Sequence, residues 1–137
     1  MNIFKLISYI PLLGVVLALY FVMEVSGVNF ADPNSLFSLP LPSGAEWNLT
    51  GSDIFIMLGT ITLFIEIVKS ARTGTGTIFE HALSLVVFIV FLILFLLVES
   101  AGTSAFLIVS LMSLLDVIAG FTITIATARR DYAVSPG

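Results

Sequence analysis

Asp116 is the residue of this chain best placed to do chemistry, because it falls near the centre of an apolar run, Ala105–Ala128. An ionised aspartate at the middle of a membrane helix costs about 2.5–3.5 kcal/mol on insertion scales, so such a group faces protein or water, or carries a proton. On a helix, residues three and four apart share a face. The stripe that contains Asp116 also holds Ser113, Gly120, Thr124 and Ala128, whereas Leu107, Leu111, Leu114, Ile118, Phe121 and Ile125 make the opposite face purely apolar. Small residues let a second backbone approach closely, so Asp116 is expected at a helix–helix contact. Two roles compete there: a proton or cation site that changes charge during transport, or a hydrogen-bonded group that fixes packing or docking. The basic residues and His81 all sit at run ends, so no ionic partner is expected at its depth, which favours packing or docking.

A second run, Ile54–Val68, supplies a matching face in Gly59, Thr62, Glu66 and Ser70. Thr62 is expected at about the depth of Asp116, so Asp116, Thr62 and Ser113 form the candidate buried proton or docking site. Glu66, three residues before Lys69, is expected to form a snorkelling ion pair with it at the membrane edge. Small residues recur in the first run as Ser8, Pro11, Gly14 and Ala18, and Pro11 is a potential kink. Gly14, Ala18, Gly59, Gly120 and Thr124 are the expected helix-packing positions.

Other chemistry finds little support. His81 is the only histidine. A lone axial ligand for haem or chlorophyll is the minor option for it, and an interfacial histidine beside Glu80 the major one. No Gly-x-Ser-x-Gly, His-Glu-x-x-His or Ser-His-Asp set occurs at a common depth, so no enzyme is expected, and no metal or cofactor. The Gly74-x-Gly76 pair lacks the strand, third glycine and lysine of a phosphate loop and reads as a turn. Span three is expected to open with a capping box at Thr77 and Glu80.

The elements that must position these residues are set by composition. Of 137 residues, 58% are hydrophobic and 10% charged, with mean hydropathy +1.16. That is too apolar for a water-solvated domain. Four apolar runs are present: Ile3–Met23, Ile54–Val68, Ala82–Val98 and Ala105–Ala128. Crossing a bilayer takes about 20 residues per helix. The expected architecture is all-α, a polytopic membrane protein. Its single domain, residues 1–137, has spans at about 3–23, 53–69, 81–99 and 104–128, arranged as two antiparallel hairpins. The first span is too long for the apolar region of a signal peptide and is expected to stay uncleaved.

Charge sets the orientation. Lys5, Lys69, Arg72, Arg129 and Arg130 occupy one set of run ends, while Glu24, Asp32, Glu46, Asp53 and Glu99 occupy the other. Positive charge is retained in the cytoplasm, so both termini are expected inside. The outer segment, residues 24–52, carries Pro33, Pro40 and Pro42 together with Phe37 and Trp47. Proline at that density opposes a helix, and the segment is too apolar for a disordered tether. It is expected to lie on the outer membrane surface with Trp47 in the interfacial belt, or to dock a partner through Phe37 and Trp47. A net charge of −4 argues against nucleic acid, and the absence of cysteine excludes disulfides and thiolate metal sites.

Span three, all Leu, Val, Ile and Phe from Leu85 to Val98, offers a broad greasy face to lipid or to another membrane protein. The combined expectation is a non-enzymatic accessory subunit of a larger complex in a bacterial inner membrane, associating with lipid, other integral membrane subunits or itself. The alternative is a small oligomeric proton- or cation-coupled transporter that uses Asp116.

Overall fold

In the computed structural model, which describes residues 2–71 and 77–134 (the side chains of Phe4, Leu6, Ile7, Thr77, Asp131, Tyr132 and Val134 excepted), the first apolar run is two helices rather than one. Helix α1 covers Ile3–Tyr9 and α2 covers Leu12–Val25. They part at Pro11, which stands in extended geometry at φ −67°, ψ 120°. Proline has no amide hydrogen to continue a helix and disfavours helical geometry in the residue before it, so the break falls where chain chemistry puts it. Alone, α2 is about 21 Å long at 1.5 Å per residue, short of a hydrocarbon core about 30 Å thick.

The other three helices, α3 (Gly51–Ser70), α4 (Thr77–Leu97) and α5 (Ser104–Val134), are each long and apolar enough to cross a membrane. Helix α3 starts with a capping box: the Thr50 hydroxyl accepts from the Asp53 amide at 3.2 Å, and the Asp53 carboxylate accepts from the Thr50 amide at 2.9 Å. The box expected at Thr77 and Glu80 rests on a side chain outside the described residues. So does the turn expected at Gly74-x-Gly76. A short 3₁₀ turn, Glu99–Ala101, joins α4 to α5, and the Thr103 hydroxyl accepts from the Phe106 amide at the start of α5.

Segment 24–52 departs from the all-α expectation. It contains a small antiparallel sheet, β1 (Phe37–Pro40) against β2 (Glu46–Leu49), with Phe37 opposite Leu49 and Leu39 opposite Trp47. The strands turn over three residues, Pro42 to Gly44. Leu41 accepts from the Gly44 amide at 2.9 Å and donates to Ala45 at 2.8 Å. Gly44 sits at φ +87°, a conformation that costs a glycine little and closes three-residue hairpin loops. Because side chains alternate along a strand, Phe37, Leu39, Trp47 and Leu49 share one face of the hairpin. Ser38 and Asn48, joined by a hydrogen bond, share the other with Glu46.

Helices α3 and α4 both pack on α5. Toward the hairpin end, the core is aromatic. Tyr20 stacks on Phe30 at 4.1 Å between ring centroids and meets Phe55 and Phe106 edge-on, each at 4.9 Å, while Phe91 reaches Phe106 at 5.3 Å. The buried Tyr20 hydroxyl donates to the Ser100 carbonyl at 2.7 Å and lies 3.0 Å from Thr103 Oγ1. This ties the end of α2 to the α4–α5 connection.

Candidate functional site: a buried polar seam

Away from the aromatic core the helix contacts turn polar. Gly59 of α3 faces Val109 and Met112 of α5, and Ser70 faces Gly120, so α3 and α5 run parallel with partners about 50 positions apart. That alignment brings Glu66 level with Asp116. The carboxylates are 6% and 3% exposed, and they share one electrostatic neighbourhood with Lys69. Glu66 Oε1 accepts from Lys69 Nζ at 3.3 Å and from the Leu12 amide of α2 at 2.9 Å. The Leu12 amide is one of the donors that any helix start leaves without an internal partner. Pro11 creates that start in an apolar setting, and Glu66 satisfies it.

Helix α4 contributes His81 and Ser84, both buried. His81 Nε2 lies 2.6 Å from Thr124 Oγ1, and its ring lies over Gly120 so closely that a Cβ there would meet Nδ1 at 2.6 Å. Ser84 is within hydrogen-bonding reach of Asp116, and its own hydroxyl donates to the Glu80 carbonyl at 3.0 Å. Ser113 is buried on the Asp116 face of α5. The seam therefore joins α3, α4 and α5 and touches the start of α2 through one amide.

Several expectations change here. Asp116 is not isolated from other ionisable groups: Glu66 and Lys69 are its neighbours. His81, expected beside Glu80 at the membrane edge, is buried within the chain at 4% exposure, because Gly120, Phe121 and Thr124 of α5 pack on its ring. Thr62 is half-buried and, on the α3–α5 alignment, level with Met112, about one turn from Asp116 toward the hairpin. Among the described residues no hydrogen bond joins it to Asp116; Ser84 is the hydroxyl within reach.

Gly59, Gly120 and Thr124 lie at α5 contacts, and Gly14 faces Val87 of α4. Ala18 is exposed, a correction to its expected packing role. The restart of the helix at Leu12 makes Leu13, Val16 and Tyr20 the buried stripe of α2, and Ala18 falls off it. Phe37 and Trp47 are exposed on the hairpin.

Tyr20 and Ser84 were not singled out in the sequence. Ser84 carried a signal, since it lies three residues after His81 and so shares its face.

At the hairpin end a cavity of about 370 Å³ is lined by Glu24, Asn29, Phe30, Glu99 and Thr103 among others. Among the described residues no group of three or more His, Asp or Glu is placed to hold a metal. What the seam can do chemically is hold a proton or balance charge between helices. No family pattern matches the chain, and no curated protein or solved structure is similar to it.

Proposed function

We propose that this chain is a non-enzymatic integral membrane subunit that works by associating with other membrane proteins. In this reading α1 and α2 together make a fourth crossing beside α3, α4 and α5. The four crossings form two antiparallel hairpins, both termini are cytoplasmic, and the host is a bacterial inner membrane. The distribution of Lys5, Lys69, Arg129 and Arg130 against Glu24, Asp53 and Glu99 supports that orientation.

The observation that carries the association reading is the outward surface of α4. Its buried side chains are His81, Ser84 and Phe91, while Val86, Ile89, Val90, Leu92, Ile93, Leu96 and Leu97 are exposed along its length. Polar groups, by contrast, are satisfied within the chain: among the described residues no buried side-chain nitrogen or oxygen lacks a hydrogen-bond partner. A photo-crosslinking residue at Val86 or Ile93, activated in the native membrane, should give discrete protein adducts. Adducts to lipid alone contradict the reading.

A second reading, a small proton- or cation-coupled transporter, draws on the Glu66–Asp116 neighbourhood, since buried membrane acids are biased toward function. Asp116→Asn separates the two. Loss of a gradient-dependent flux with association intact supports transport, and intact association without any flux supports the subunit.

A further inference from the structure

We propose that the seam is a proton-binding site in which the Asp116 carboxyl carries one exchangeable proton while Glu66 stays ionised against Lys69. Both donors to Glu66 Oε1 call for an anion. One is an ammonium at 3.3 Å, the other an amide at the positive end of α2 at 2.9 Å. Asp116 has a different environment. It is 3% exposed and, among the described residues, forms no salt bridge within 4.0 Å, the nearby Lys69 ammonium being engaged by Glu66 Oε1 at 3.3 Å. A buried carboxyl without a cation of its own is neutralised by a proton.

Charge counting agrees. Two carboxylates, 6% and 3% exposed, share one lysine. Ionising both would leave an uncompensated buried anion, which is costly in a low-dielectric setting. The remaining titratable groups facing the site are Glu80 and His81 of α4. Among the described residues the only ion pair within 4.0 Å is Lys69–Glu66, and His81 Nε2 is engaged by the Thr124 hydroxyl at 2.6 Å. Uptake forms an O–H bond on Asp116 with a proton from water, and release leaves the second carboxylate. The ligand is one proton, whether the protein works by assembly or by transport.

Infrared spectroscopy of the purified full chain in lipid vesicles at neutral pH tests this, because a protonated carboxyl C=O stretch is separate from carboxylate bands and shifts in D2O. The wild type should show the band, Asp116→Asn should lose it and Glu66→Gln should keep it. Lys69→Met should add a second protonated carboxyl, as Glu66 loses its counter-charge and takes up a proton. No band in the wild type, or a band that survives Asp116→Asn, overturns the proposal. If Asp116→Asn does not fold, no added intensity in Lys69→Met overturns it as well.

Discussion

Glu66 and Leu12 lie 54 residues apart and are joined by one hydrogen bond, from the Leu12 amide to Glu66 Oε1 at 2.9 Å. The bond turns the proline break between α1 and α2 from a liability into a joint. Removing the acceptor should leave a buried amide unpaired and Lys69 without its partner, at about 1–3 kcal/mol for the orphaned donor. Glu66→Leu is therefore expected to lower the unfolding midpoint in mild detergent clearly, and Glu66→Gln, which keeps an acceptor oxygen, by less. Equal loss in both would place the effect in the lost charge rather than in the cap.

Gly120 and Gly59 both lie at close helix contacts, yet they should respond differently to alanine. A Cβ at Gly120 would meet the His81 ring at 2.6 and 2.7 Å, whereas at Gly59 it would meet Val109 and the flexible Met112 at 3.0 and 3.1 Å. Gly120→Ala should displace the imidazole from Thr124 and cost about 1–3 kcal/mol, as overpacking does. Gly59→Ala should cost less. Thermal unfolding and the His81 side-chain nitrogen shifts check both parts, and an unmoved His81 spectrum in Gly120→Ala contradicts the contact.

These two sites show what was legible beforehand. The small and polar stripe through Ser113, Asp116, Gly120 and Thr124 could be read from spacing, because 3.6-residue periodicity is local. Which residues of α3 stand beside it could not. Sequence separation carries no axial alignment, so Thr62 was expected where Glu66 stands. His81 and Lys69 looked interfacial because each lies near the end of an apolar run. Gly120, Phe121 and Thr124 of α5 are what cover His81. The hairpin was obscured by its prolines, although Pro42-Ser43-Gly44 and the alternation of Phe37, Leu39, Trp47 and Leu49 carried its turn and its face.

Tyr20→Phe should keep the aromatic cluster and lose only the hydroxyl contacts to Ser100 and Thr103. The expected loss is about 1 kcal/mol. Tyr20→Ala also empties the space between Phe30, Phe55 and Phe106 and should cost about 3–5 kcal/mol. Denaturant midpoints of the two variants measure the difference, and near-equal losses would mean that the cluster contributes little.

Trp47 is the only tryptophan, so its fluorescence reports on the hairpin without interference. Its face is shared by Phe37, Leu39 and Leu49, and β2 runs into α3 through Thr50 alone. An apolar hairpin face this close to a long apolar helix should rest in the membrane interface, where tryptophan is favoured. Brominated lipids should quench Trp47 strongly and an aqueous quencher weakly. The reverse order would put the hairpin in water, free to meet a soluble partner.

The association reading is tested most directly by native mass spectrometry of the chain extracted gently from its own membrane. Fixed-stoichiometry complexes with other polypeptides are the predicted result. A lone monomer or a homo-oligomer would contradict it and leave proton transport through Asp116 as the reading to pursue.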